Sequence, residues 1–218
     1  MPASLRADKL HGKIPHMIRL GEKEILLPRN SVRFPVELRP PQGFALDDPG
    51  TWPRVEGRLE FVRGRLLFMP PCGDEQGDVA IDVALILRTW TQTHSDYIVS
   101  GNEAGMLLGG EVRGADAAVW HRRDAAVRTG GYRRTPPILA AEVAGQDEGA
   151  DELRGKASWY LSHGVKVVWL ILPASREVIV IEAAGERRFG PDDELLQHPD
   201  LPALSPPVAA FFAQLAPG

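Results

Sequence analysis

Residues 138–172 constrain the fold of this chain more than any other stretch. Ile138-Leu139-Ala140-Ala141-Glu142-Val143 is apolar at nearly every position, as a strand buried on both faces has to be. Residues 148–163 have helical spacing, with Leu153, Ala157, Tyr160 and Leu161 on one face. Gly164 follows where a left-handed C-terminal cap belongs. Residues 165–172 are a second apolar run. Strand, helix and strand in that order form a βαβ unit, whose two strands run parallel with a right-handed crossover. The fold class is therefore α/β (α+β), a mixed β-sheet flanked by helices.

The rest of the chain is read around this unit. Glu177-Val178-Ile179-Val180-Ile181 is expected as an antiparallel neighbour, and residues 207–215 as a short closing helix. Residues 74–94 are expected to be helical, with Val79, Val83, Ile86 and Trp90 inward, Asp74 as N-cap, and Asp78 and Asp82 on the polar side. Strands are expected at 97–100 and 115–120, with glycines 101, 105, 109, 110 and 114 marking turns between them. Residues 53–60 read as a short first helix, and 61–69 as a hairpin turning at Gly64. The first 52 residues are rich in proline and carry only short apolar runs such as Glu24-Ile25-Leu26-Leu27. They are expected to form an extended N-terminal arm with short strands, ahead of one domain at 53–218.

Composition narrows the function classes. The single cysteine, Cys72, leaves no intrachain disulfide and fits a reducing cytoplasm. No apolar run approaches the roughly 20 residues that span a bilayer, and residues 1–16 lack the apolar core of a signal peptide. A cytoplasmic protein with no membrane partner is expected. The net charge of −4 argues against strong non-specific nucleic-acid binding but not against a nuclease, because acidic metal ligands themselves lower the charge. There is no Gly-x-Ser-x-Gly elbow, no Walker loop and no zinc spacing among His11, His16, His94, His121, His163 and His198.

Chemistry concentrates in three residues. Glu142 interrupts a strand that is otherwise greasy on both faces, and a buried carboxylate has to be paired, protonated or metal-bound. Asp116 stands between Ala115 and Ala117 on another apolar strand. Two such carboxylates in one sheet can converge, and hard oxygen donors suit Mg²⁺ or Mn²⁺. Lys156 shares a helical side with Leu153 and Tyr160, the side that packs on the Glu142 strand. A lysine there can offset charge developing on a phosphoryl oxygen. The plainer alternative is a structural ion pair of Lys156 with Glu142 or Asp151, since ion-pair networks produce such positions as readily.

Several ordered stretches resemble the Uma2 family, restriction-endonuclease-like proteins of the PD-(D/E)xK nuclease superfamily. They are Glu60-Phe61-Val62-Arg63-Gly64-Arg65-Leu66, Met69-Pro70-Pro71-Cys72-Gly73, Ala115-Asp116-Ala117-Ala118-Val119, Ala141-Glu142-Val143, and Asp151 to Lys156 with Tyr160, Gly164-Val165 and Trp169-Leu170. The resemblance spans about Glu60 to Ile181 and implies a restriction-endonuclease-like core. It implies Asp116 and Glu142 as metal ligands, Glu60 as a further acidic contributor from the first helix, and Lys156 as the site lysine. It further implies a Mg²⁺- or Mn²⁺-dependent endonuclease acting on nucleic acid, with DNA as the favoured substrate. The chain departs from the family pattern at Ala115, at Gly145-Gln146, and at Gln76, where the family commonly has histidine. Arg122, Arg123, Arg128, Arg133 and Arg134 offer local positive charge for phosphates, although such a run is more often a solvated loop. A homodimer is expected, because the arm and the strand edges need cover. The competing reading is a catalytically silent nuclease-fold protein acting as a dimeric interaction or regulatory module.

Overall fold

The structure is a computed structural model that describes residues 16–20, 23–27, 34–125, 127–146 and 148–215; much of the expected arm lies outside the described residues. The strands are β1 (His16–Leu20), β2 (Lys23–Leu27), β3 (Val36–Leu38), β4 (Arg58–Val62), β5 (Arg65–Met69), β6 (Tyr97–Leu108), β7 (Glu111–His121), β8 (Leu139–Val143), β9 (Val167–Leu172), β10 (Glu177–Glu182) and β11 (Gly185–Phe189). The helices are α1 (Asp74–Thr93) and α2 (Ala150–Ser162), with 3₁₀ segments at Pro49–Thr51 and Val208–Leu215. Among the described residues, β1 and β2 form a separate two-stranded antiparallel sheet. The others form one mixed sheet in the order β11-β10-β9-β8-β7-β4-β5-β3, with β6 paired along β7. β8 and β9 are parallel and joined by α2, as the βαβ reading requires.

Alternation explains why the central strands are apolar throughout. Ala117, Val119, Leu139, Ala141 and Trp169 join Val79, Val83, Leu87, Trp90 and Phe211 in one core, under α1 and the C-terminal 3₁₀ segment. Ala118, Ala140, Val168 and Leu170 join Leu153, Ala157 and Tyr160 in a second core under α2. Successive residues thus feed opposite cores. Full burial of each large aliphatic side chain contributes about 1.5–3 kcal/mol.

The sheet forks at β7. β6 runs along one edge of β7. A strand has only two edges, so β8, paired at Ala117–Val119, and β4, paired at Val112, share the other. Between them the Gly114 N–H donates to the Glu60 carboxylate rather than to a neighbouring strand. That gap is where the polar residues collect.

Several expectations are corrected. Residues 58–60 belong to strand β4, not to a first helix, so Glu60 projects from a strand. The cause is the turn at Arg63 (φ 51) and Gly64 (φ 76), whose paired positive dihedrals make a tight hairpin and carry the pairing back to Arg58↔Met69. Gly101, Gly105 and Gly114 lie inside long strands, and only Gly109 and Gly110 form the turn. The interior glycines leave room for close neighbours instead, because a Cβ on Gly105 would stand 2.9 Å from the Tyr132 ring. The α1 N-cap is Gly73, while Asp74 lies in the first turn. Asp82 is buried rather than solvent-facing, and it accepts from the Gln214 backbone N–H at 3.0 Å and from Gln214 Nε2 at 3.2 Å. The closing helix is 3₁₀ and kinked at Phe212. β11 was not foreseen, since Glu186, Arg187 and Arg188 give this exposed edge strand no apolar alternation.

Gly105→Ala is expected to destabilise the fold by about 1–3 kcal/mol through overpacking against Tyr132. A thermal melt checks this, and an unchanged midpoint would refute the close-approach account.

Candidate active site

The pairing of β7 with β8 sets Ala117 against Ala141 and Ala118 against Ala140. One step further along the same register, Asp116 stands opposite Glu142. Both therefore project from the face that Ala118 and Ala140 present to α2. Asp116 and Glu142 are buried, Glu142 to 1% exposure. Asp116 Oδ2 accepts the Val143 backbone N–H at 2.7 Å. The Val143 carbonyl in turn accepts from Gln76 Nε2 at 2.9 Å, so the end of β8 is held from both sides.

Glu142 is satisfied by α2. Tyr160 donates its hydroxyl to Oε1 at 2.6 Å, and Lys156 Nζ donates to Oε2 at 3.1 Å. Lys156 and Tyr160 are one helical turn apart, so one helix face delivers both. Lys156 also pairs with Glu148 at 3.4 Å. Asp151, the other partner considered for it, pairs with Arg154 instead. From β4, Glu60 Oε1 accepts the Gly114 N–H at 3.3 Å. Arg58, two residues earlier on the same strand face, places Nη1 3.0 Å from Glu103 and 3.5 Å from Asp116.

The electrostatics follow from this crowding. Burial, then the charge of Glu142, pushes the Asp116 carboxyl up to about 7, although the Val143 N–H and Arg58 oppose the shift. Burial likewise raises Glu60, with Lys156 counteracting, and raises Glu103, with Arg58 counteracting. For Lys156, burial alone would lower the pKa, but Glu142, Glu60 and Glu148 reverse that and hold it well above the usual lysine range. Tyr160 is raised by burial and by Glu142, so it stays a hydroxyl donor at neutral pH.

Asp116, Glu142, Lys156 and Glu60 are thus brought into one interacting cluster. Four contributors escaped the sequence reading: Arg58, Glu103, Glu148 and Tyr160 as a hydrogen-bond donor. The sequence places Tyr160 on the packed face and in the family motif but gives it no hydrogen-bonding role, although its spacing from Lys156 carries the signal. Of the five loop arginines, Arg122 bonds the Ser95 and Tyr97 carbonyls, and Arg133 lies over the Trp120 ring and bonds the Ala125 carbonyl. Arg134 pairs with Asp47 on the surface, and Arg123 with Asp124.

The donor set fits a divalent ion. Asp116 and Glu142 offer hard oxygens side by side, and burial together with the Glu142 charge raises the Asp116 pKa, a shift that the Val143 N–H and Arg58 only partly oppose. Among the described residues no group of three or more His, Cys, Asp or Glu side chains is placed to hold a metal ion. Mg²⁺ does not need one, because it commonly takes one or two carboxylates and fills its shell with water and phosphate.

Because folding raises the Asp116 pKa, the folded state binds this proton more tightly than the unfolded state. Its ionisation therefore reduces stability as pH rises from the ordinary aspartate value toward about 7. Asp116→Asn removes that loss. Metal-free Asp116→Asn is expected to gain on wild type by several degrees in Tm between pH 5 and pH 8, at roughly 2–4 °C per kcal/mol. A difference in Tm that stays constant across that range would exclude this electrostatic account.

Comparison with known proteins agrees with the architecture. A protein from Anabaena variabilis ATCC 29413, its crystal structure titled that of "a putative nuclease belonging to DUF820", superposes with a TM-score of 0.66. The two share 16% identity over 74% of this chain and 93% of that one, a likeness of fold. Among curated proteins none matches the chain. The profile of the Uma2 family, described as "Putative restriction endonuclease", matches residues 48–211. With three quarters of its length inside that match, and with Asp116 and Glu142 opposed across the forked sheet, the chain belongs to the Uma2 family.

Proposed function

We propose that this protein is a Mg²⁺- or Mn²⁺-dependent endonuclease that hydrolyses nucleic-acid phosphodiesters, with DNA as the favoured substrate. The observation that carries the reading is the opposition of Asp116 and Glu142 on one sheet face, with Lys156 bound to the latter at 3.1 Å. Asp116 and Glu142 would hold the ion. When bound, it would acidify a water and draw negative charge from the scissile phosphate. Glu60, which bonds the Gly114 N–H, would add negative charge near the ion without ligating it.

The chain's own groups have separable tasks in this proposal. Lys156 stays protonated at neutral pH, so it serves as a fixed positive charge for the developing phosphoryl oxyanion rather than as a base. Tyr160 fixes the Glu142 carboxylate by donating to Oε1, and Gln76 fixes the strand end that orients Asp116. Arg123 and Arg134 remain largely exposed and can meet phosphates, whereas Arg122 and Arg133 are engaged internally. A homodimer belongs to the same proposal, since cutting both strands of a duplex with one site per chain calls for two chains. Cytoplasmic location is likewise proposed from the single, unpaired cysteine. Among the described residues no helix is long and apolar enough to cross a membrane.

A second reading, a catalytically silent dimeric module, draws on two observations: Arg58 already stands beside Asp116, and Lys156 already pairs with Glu142, as a purely structural ion pair would. Assay of plasmid and single-stranded substrates with Mg²⁺ and Mn²⁺ separates the two. Wild type is expected to cleave, Glu142→Ala to be inactive, and Lys156→Ala to lose about 10²–10³-fold in rate. Wild-type cleavage no greater than that of Glu142→Ala would favour the silent module, and full activity in Lys156→Ala would remove that lysine from the chemistry.

A further inference from the structure

Arg58 is the least settled polar group in the cluster. Its side chain is 16% exposed, and among the described residues only Nη1 makes polar contacts, at 3.0 Å to Glu103 Oε1 and 3.5 Å to Asp116 Oδ1. Among the same residues its buried Nε finds no hydrogen-bond partner. A guanidinium carries five N–H donors in a rigid fork, so a seat that engages one nitrogen is a poor fit. The contact to Asp116 is the longer of the two.

Glu103 is held to receive Arg58. The register between β6 and β7 shifts between Gly101 and Ala104, and Glu103 lies in that bulge at φ 64. A non-glycine residue in the left-handed region is uncommon, and bulges re-aim side chains beside functional sites. Across the strand, Gly114 leaves the room, because a Cβ there would stand 3.1 Å from Glu103 Oε2. Bulge, strained dihedral and facing glycine together direct one carboxylate at Arg58.

We propose that Arg58 is a placeholder cation: it partly neutralises Asp116 before a divalent ion arrives, and it withdraws from Asp116 while remaining tethered to Glu103 when the ion binds. This rests on the reading that Asp116 and Glu142 hold the ion. A divalent ion on Asp116 and a guanidinium at the same carboxylate repel one another, and the partner with the alternative anchor yields. Arg58 has that anchor in Glu103. Arg58 is therefore a positioning residue for metal loading.

Mn²⁺ titration of the metal-free full chain, followed by calorimetry and by the free-ion electron paramagnetic resonance signal, tests this without any activity assay. Arg58→Gln is expected to bind Mn²⁺ roughly tenfold more tightly than wild type, within the range usual for coupled sites. Asp116→Asn is expected to bind weakly or not at all. Equal or weaker binding by Arg58→Gln, with wild type still binding, overturns the placeholder role and leaves the metal-site reading standing. No Mn²⁺ binding by wild type or by Arg58→Gln overturns both. A crystal of wild type soaked in Mn²⁺ needs no variant to fold. Arg58 Nη1 out of hydrogen-bond reach of Asp116 but still on Glu103 supports the proposal, and an unmoved Arg58 beside a bound ion refutes it.

Discussion

Two carboxylates set side by side on a sheet face beneath a helix are the constraint from which the rest of this structure follows. Each loses hydration on burial and each raises the cost of ionising the other, a combination that amounts to several kcal/mol if left unanswered. The chain answers with four donors from three elements: the Val143 N–H on β8, Lys156 and Tyr160 on α2, and Arg58 on β4. The position of α2 over the sheet is thus fixed twice. Leu153 and Ala157 fix it by packing, and Lys156 and Tyr160 by reaching Glu142.

The fork at β7 makes room for the pair. Had β8 and β4 been continuous along the same edge of β7, backbone ladder bonds would have filled the space around residues 113–116. Instead, side chains take over the backbone's hydrogen bonds there: Glu60 accepts from Gly114, and Asp116 accepts from Val143. Gln76 extends the same logic by donating to the Val143 carbonyl. At the position where the family commonly has histidine, this chain keeps a residue that anchors the strand end without any proton-transfer capacity.

What was legible in the sequence was whatever local pattern determines. The βαβ unit announces itself through apolar runs of strand length around an amphipathic helix, and Glu142 is conspicuous because nothing else in its strand is charged. Lys156 follows from helical spacing once the packed face is known. Arg58 and Glu103 were illegible for a physical reason. Residues 58–60 are too short and mixed to separate helix from strand, and only the hairpin at Arg63-Gly64, pairing back to residue 58, decides the matter. Read as a strand, Arg58 and Glu60 fall on one face and the arginine joins the site. Glu103 depends on a bulge, which is a property of two strands together and leaves no periodic trace. The glycines misled for a related reason: Gly105 and Gly114 mark close approach inside a sheet, where sequence alone suggests a turn.

The charge arrangement also limits which chemistry the cluster can perform by itself. A general base near neutrality needs a group that gives up and regains its proton there. Lys156 is held protonated by Glu142, Glu60 and Glu148, and Tyr160 is held as a hydroxyl by burial and Glu142. Neither is available as a base. Asp116, raised to about 7 by burial and Glu142, exchanges its proton near physiological pH, and it also contacts Arg58. Loss of that proton and movement of that arginine both increase the negative charge offered at the same oxygen atoms. If a divalent ion binds between β7 and β8 as proposed, the protonation state of Asp116 and the position of Arg58 would both respond to that one event.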